Sequence, residues 1–284
     1  MVIVVHGGIY RGKMPDVRDV LDQACQAGSG KDCARAVENA VKVLEDDPRL
    51  DAGTGSYPNL LGEVEMSASI MTSEGKSGAV AAIKNIKNPV SIARAVMDHT
   101  PHLLLVGEGA VYFASFMGFP PYNPVGELTV STLKQNIERA EKDPLPIYTY
   151  YLEHARRRLE GMNLGTVGAV AWERDKGAAA TSTGGVEMQL PGRVGDTPLI
   201  GSGTFACMWG AVSMTGDGEG IVNLGLARRI AEWMKEDTAE KAVDKGMVLA
   251  SREKVCCGAI AIDRFGRVGH GENGGTLSWA WQEV

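Results

Sequence analysis

NLGTVGAV, residues Asn163 to Val170, is the stretch on which the reading of the fold turns. Gly165 precedes a small polar residue, Thr166, and an apolar run follows at once. Val167 to Ala171 reads as a short strand. The dipeptide Gly165-Thr166 taken alone is a loop meeting that strand. The other reading is a junction at which the chain is cut.

Outward from this point the composition changes. Of the 36 glycines, 22 fall in residues 161–284 and 14 in residues 1–160. The glycine-rich part alternates short strands with turns: Val167 to Ala171, Ala178 to Thr183, Ala211 to Met214, Gly258 to Ile262 and Leu277 to Trp281. Two helices interrupt it, about Asn223 to Lys235 and Thr238 to Ser251. In the other direction, Val2 to Val5 reads as a buried strand ended by His6-Gly7-Gly8, where paired glycines permit a tight turn. Asp32 to Asp46 carries apolar residues at helical spacing and stops before Pro48. Asp51 to Gly62 is loop chemistry, Gly78 to Ile83 a second buried strand, and Leu103 to Val106 a strand or buried turn. Asn88-Pro89 opens a helix, with Asn as N-cap and Pro at the first helical position. Val130 to Ala140 is helical in period, and Leu145 to Leu164 reads as a surface connection. Strands, then helices, then strands again predict an α+β fold, a four-layer αββα sandwich in which helices cover two sheets.

With 284 residues, 44% apolar and 23% charged, the chain can bury a sizeable core. Its net charge of -6 opposes phosphate backbones, so no nucleic acid partner is expected. Arg156 to Arg158, flanked by Glu153 and Glu160, read as a solvated face. MVIVVHGG lacks the basic segment of a signal peptide, and no apolar run is long enough for a membrane span; a cytoplasmic protein is expected. The five cysteines match no zinc spacing and read as reduced, packed thiols, and the histidines include no HExxH, so no catalytic metal is expected. GSGKD at Gly28 to Asp32 fails the phosphate-loop pattern twice, and GDGEG at Gly216 to Gly220 is not a dinucleotide fingerprint.

A threonine hydroxyl is a weak nucleophile that needs a base beside it. The α-amine of the same residue can serve when threonine is N-terminal. That amine, with an ordinary pKa of about 7.7–8.0, is partly unprotonated near neutral pH. Such a site requires the Gly165–Thr166 bond to break, and glycine tolerates the strained backbone that attack by the hydroxyl demands.

The surroundings favour this second reading. GTVGAVA (Gly165 to Ala171), ATSTGG (Ala180 to Gly185), GRVGDTPL (Gly192 to Leu199) and AVSMTGDGE (Ala211 to Glu219) closely resemble the plant-type asparaginase family. VVHGG, LEDDP followed by AG-x-GS, GEVEM-x-ASIM, IKNPVSIARAVM and TPH-x-LLVGEGA extend the resemblance through the first half. Only about residues 120–160 lie outside it. The family comprises N-terminal nucleophile hydrolases that act on L-asparagine and β-aspartyl (isoaspartyl) dipeptides. The resemblance implies self-cleavage into an α subunit, residues 1–165, and a β subunit, residues 166–284. Thr166 would be the nucleophile and form an acyl-enzyme, with Thr183 polarising its hydroxyl. Thr215 and Gly216 would form the oxyanion hole. Arg193 and Asp196 would hold the substrate's α-carboxylate and α-amine, assisted by the Gly218 carbonyl. One fixed cation and one fixed anion suit a zwitterion, and arginine offers carboxylate a bidentate fork. The family also holds a structural sodium ion through backbone carbonyls, here those of Leu44, Glu45, Asp47, Leu50, Ala52 and Thr54. It assembles as a dimer of αβ units.

The sequence departs from the family at Asp51, where asparagine is usual, at Ser67, which replaces an aspartate, and at Thr72-Ser73, which replace Asp-Gly. Asp51, a supporting residue, would add negative charge near the amine and raise its pKa, slowing turnover at neutral pH. Ser67 and Thr72-Ser73 fall close to the loop expected to support the site. Three other readings share these motifs: a glycosylasparaginase, expected with a signal peptide; a threonine aspartase, expected with a long segment before the nucleophile; and an unprocessed, non-catalytic scaffold.

Overall fold

The computed structural model describes residues 1–30, 32–126 and 165–283, with a few positions between 130 and 142. Among the described residues, eleven strands form two sheets. In chain order the elements are β1 (Val2–Tyr10), α1 (Arg18–Gly28), α2 (Cys33–Asp46), β2 (Met66–Thr72), β3 (Ser77–Ile83), α3 (Pro89–His99), β4 (Leu104–Val106), α4 (Gly107–Phe116), β5 (Val167–Glu173) and β6 (Lys176–Thr183). Then come β7 (Thr204–Cys207), β8 (Gly210–Gly216), α5 (Gly218–Leu224), α6 (Leu226–Trp233), α7 (Ala239–Arg252), β9 (Cys257–Asp263), β10 (Val268–Asn273) and β11 (Thr276–Glu283).

The larger sheet has the order β11-β1-β5-β6-β2-β3-β4, antiparallel except for the parallel pair β3–β4. The smaller has the order β10-β9-β8-β7. Their inner faces meet through Val4, Val170, Trp172, Ala179, Ile260 and Ile262. Outside the larger sheet, Val20, Leu21, Val37, Val41, Ile92 and Val96 of α1, α2 and α3 pack on Ile3, Val5 and Ile70. Outside the smaller sheet, Ile230 and Val243 of α6 and α7 pack on Val212 and Ala259. These are the four predicted αββα layers, and burial on both sides explains why the central strands read as unbroken apolar runs.

Several elements differ in detail from the sequence reading. β1 does not end at His6-Gly7-Gly8; it continues to Tyr10 past a register shift between His6 and Ile9, so the glycines make a bulge within the strand. The helix expected over 223–235 is two helices, because Gly225 adopts φ 57° between α5 and α6. Asp32 caps α2 as a helix of that start requires, its side chain accepting from Arg35 N–H at 3.1 Å. Asn88 does not cap α3: its Nδ2 donates to Asp46, while the buried Glu45 accepts the Val90 N–H at 3.0 Å. The sequence reading has no counterpart of α1, β2, α4, β7 or β10. The Leu145 to Leu164 connection, the arginine run and most of the helix expected at Val130 to Ala140 lie outside the described residues. All five cysteines are free, and Cys25, Cys33, Cys256 and Cys257 are buried. Among the described residues no helix is long and apolar enough to cross a membrane.

Candidate active site

Antiparallel pairing of β5 with β6 sets Val167 opposite Ser182, which brings Thr166, just before β5, beside Thr183 at the end of β6. The Thr166 hydroxyl lies 2.5 Å from the Gly165 carbonyl oxygen and 3.1 Å from Thr183 Oγ1. Thr183 Oγ1 accepts from Gly185 N–H at 3.1 Å and lies 3.3 Å from the same carbonyl. Both threonines are buried. The hydroxyl oxygen is thus alongside the peptide carbonyl that an attack would target.

Gly165 is required sterically. A Cβ there would lie 2.2 Å from Asp51 Cβ and 2.9 Å from Asp51 Oδ2, and one at Gly184 would lie 2.3 Å from Asp51 Oδ1. Asp51 therefore abuts the junction. Its Oδ1 accepts from Tyr57 N–H at 3.2 Å, and its Oδ2 is buried with no hydrogen-bond partner. Burial holds this carboxyl well above the usual carboxylate range, against the opposing pull of the Tyr57 N–H and Arg193. The negative charge expected of Asp51 is accordingly disfavoured in the intact chain.

The other departures separate in space. Ser67 pairs directly with Thr183 across the β2–β6 ladder and accepts from Ala82 N–H at 3.3 Å. Thr72 pairs with Ala178 and Ser73 bonds to Gly177, at the opposite end of these strands. At about 3.3 Å per residue, Thr72-Ser73 stand some 17 Å along the sheet from Thr183. The expectation that they lie near the site is corrected: strand length carries them away from it.

Arg193, Asp196 and Gly218 form a second cluster. A Cβ on Gly218 would lie 2.9 Å from Asp196 Oδ1 and 3.0 Å from Arg193 Nη2, so a side chain there would push against both. Arg193 does not close on Asp196. Its Nε and Nη2 donate to Glu219 at 2.8 and 2.7 Å, a bidentate pair. Asp196 is buried, with Oδ2 lacking a hydrogen-bond partner. Burial pushes its carboxyl up to about 7, against the lowering effect of Arg193. Glu219 carried no role in the sequence reading, although it closes the quoted AVSMTGDGE segment; the signal was its place one residue after Gly218.

Thr215 and Gly216 end β8, immediately before Asp217 caps α5. Thr215 shares its face of β8 with Ser213, which touches Thr181 of β6 at 2.7 Å. Gly216 adopts φ 137°, and a Cβ there would strike the Cys256 carbonyl at 2.4 Å.

Gly53 and Gly55 lie close against backbone carbonyls of the preceding turn. A Cβ at Gly55 would lie 2.0 Å from the Leu50 oxygen and 2.8 Å from that of Pro48; one at Gly53 would lie 2.3 Å from that of Glu45.

The family described as Asparaginase matches residues 1–284. The plant-type L-asparaginase of Pyrococcus horikoshii is 40% identical over 298 residues, covering 100% of this chain and 96% of its own length. The isoaspartyl peptidase/L-asparaginase of Bos taurus is 39% identical, with 98% of this chain and 92% of its own covered. The corresponding protein of Homo sapiens is 40% identical, with 93% and 87% covered. A whole-chain match on an αββα sandwich, with Thr166 opening a central strand, means that the chain belongs to the asparaginase family of hydrolases, enzymes of the N-terminal nucleophile fold.

Proposed function

We propose that the protein is a self-processing amidohydrolase that converts L-asparagine to L-aspartate and ammonia and cleaves β-aspartyl dipeptides. The observation that carries this reading is the Thr166 hydroxyl, 2.5 Å from the Gly165 carbonyl oxygen. Attack by Oγ1 on the Gly165 carbonyl carbon closes a five-membered ring, and the hydroxyl proton passes to the Thr166 nitrogen as the C–N bond breaks. The resulting ester is hydrolysed by water. Gly165 becomes a carboxylate, and Thr166 regains its hydroxyl with a free α-amine. That amine then takes the hydroxyl proton as Oγ1 attacks the side-chain carbonyl of the substrate. Ammonia or the dipeptide's amino group leaves with a proton, and water releases aspartate from the acyl-enzyme.

Thr183 orients the nucleophile in this scheme. Thr215 and Gly216 receive the developing oxyanion with a hydroxyl and an N–H. Arg193 and Asp196, with the Gly218 carbonyl, hold the zwitterionic end of the substrate. The fork of Arg193 already grips a carboxylate, that of Glu219, so the substrate's α-carboxylate competes with Glu219 for it. A sodium ion would be held by the carbonyls of Leu44, Glu45, Asp47, Leu50, Ala52 and Thr54, where it would brace the loop that carries Asp51.

Self-association as a dimer of αβ units is supported by the β4–α4 segment. Leu103, Val106, Tyr112 and Phe116 are exposed there among the described residues, an apolar surface that a partner copy would cover. A cytoplasmic setting is supported by the five free thiols.

Intact mass with N-terminal sequencing under denaturing conditions tests the reading. The expected result is two pieces of 165 and 119 residues (284 − 165), the second beginning Thr-Val-Gly-Ala-Val. A single uncut chain after prolonged incubation would overturn it.

A further inference from the structure

The Arg193 fork is filled by a carboxylate of the chain itself. Nε donates to Glu219 Oε1 at 2.8 Å and Nη2 to Oε2 at 2.7 Å. Such a bidentate pair is the arrangement in which arginine takes a substrate carboxylate. Burial opposes charge on Glu219, but the hydrogen bonds from Arg193 hold its carboxyl below the ordinary range, so the pair is ionic at neutral pH. Its two members are unequal. The Arg193 side chain is 16% exposed and that of Glu219 57%. The arginine is the anchored member, and the glutamate is the one that can exchange its partner for water at small cost.

The position of the pair gives this exchange a consequence. An α-amino acid carries its carboxylate and its ammonium on one carbon, so the cation and the anion that hold them must lie close together. Asp196 Oδ1 and Arg193 Nη2 lie 2.9 and 3.0 Å from a single point, the place of a Cβ on Gly218. Nη2 is therefore beside the aspartate, and Nη2 is the nitrogen that Glu219 Oε2 holds. A ligand whose ammonium pairs with Asp196 brings its carboxylate to a nitrogen already taken. Two carboxylates at one nitrogen repel each other, so the second displaces the first.

We propose that Glu219 is an internal competitor of the substrate: it must release Arg193 before an α-carboxylate binds, and it retakes the fork as L-aspartate leaves. It is a positioning residue that acts through Arg193 and sets affinity without touching the reacting atoms. Competition is confined to the carboxylate end, since the ligand's ammonium pairs with Asp196. This role rests on the reading of Arg193 and Asp196 as the cluster that holds the zwitterion.

The test compares the purified full chain with Glu219→Gln, by steady-state kinetics on L-asparagine and by calorimetry with L-aspartate. Glu219→Gln should lower both KM and Kd about two- to fivefold, the range of an exposed ion pair, with kcat within about twofold. L-Asparaginamide has no carboxylate to compete, and its binding should not tighten. A pH series adds a reading that lost packing would not move. Burial raises the Asp196 carboxyl most, Arg193 lowers it, and Glu219 and Asp217 raise it further. The acid limb of kcat/KM should therefore move to lower pH in Glu219→Gln. Glu219→Asp is shorter by one methylene and keeps the charge. It should lower KM and leave the acid limb in place, and it stands in if Glu219→Gln does not fold. A KM and Kd unchanged or raised in Glu219→Gln overturn the proposal; a rise would make Glu219 the group that orients Arg193. An uncut, inactive parent whose Glu219→Gln form binds L-aspartate more tightly overturns the Thr166 reading and leaves this role standing. Failure of both forms to bind L-aspartate overturns this role together with the zwitterion reading.

Discussion

The junction around Gly165 and the cluster around Arg193 each contain one buried aspartate, Asp51 and Asp196, and each aspartate keeps an oxygen without a hydrogen-bond partner. Their neighbours differ. Asp51 faces two glycines and one backbone N–H. Asp196 lies beside Arg193, itself held by the half-exposed Glu219. Burial pushes both carboxyls upward, but the adjacent guanidinium limits the rise at Asp196 to about 7, while Asp51 goes well above its ordinary value. The junction is a place that suppresses charge, which suits an acyl shift between neutral groups. The cluster is a place that tolerates charge, which suits a zwitterion.

The strongest way to break this contrast is to remove the group both processes share. Thr166→Ala should abolish cleavage and lower turnover by roughly a thousandfold or more; a single intact mass and no ammonia release from asparagine would be the signs. Gly165→Ala acts on the junction alone. Its Cβ would overlap Asp51, a cost of about 1–3 kcal/mol, or roughly ten- to hundredfold in cleavage rate. Once cut, residue 165 has left the nucleophile, so kcat measured per processed molecule should match the parent. Arg193→Lys acts on the cluster alone. It loses the bidentate fork and should raise KM for asparagine about tenfold, while the time course of cleavage followed by gel is unchanged.

A smaller effect sharpens the contrast through pH. On the proposed role of Asp196 in holding the substrate ammonium, its ionised form binds, so kcat/KM should fall as pH drops below about 7. For stability the sign is opposite. A carboxyl whose folded pKa is raised stabilises the fold below its unfolded pKa, near 4, and that contribution is lost as pH rises through about 7. Asp196→Asn should flatten denaturation midpoints measured across this window. Asp51→Asn should give the mildest change: with Asp51 kept neutral by burial the pH–rate profile should be nearly unchanged, and a lower pH optimum with faster turnover at neutral pH would mean that Asp51 ionises in the working enzyme.

How much of this could be read from the residues depended on whether the signal was local. α2 was legible because Asp32, an apolar stripe and Pro48 mark its start, face and end. α1 repeats apolar residues at the same spacing, but Val17 stands at its N-cap and offers no side-chain signal. β10, VGHGEN, has two glycines and three polar residues, so its strand character comes from pairing with β9 and not from propensity. Thr166, Arg193 and Asp196 were found through the motifs around them. Glu45 as the cap of α3 and Glu219 as the partner of Arg193 join residues that are distant in sequence, and only the fold brings them together.

β1 is flanked on one side by β5 and on the other by β11, and β2 is paired with β6. Strands from before Gly165 are thus laced between strands from after it. A cut at 165 would leave two polypeptides with no covalent link among the described residues' free cysteines, joined only by sheet hydrogen bonds and a common core. Refolding, first-order for the uncut chain, would become second-order and dilution-sensitive. Cleavage would then act as a ratchet: the fold is reached once from a single chain, and a molecule unfolded afterwards has to find its other half again.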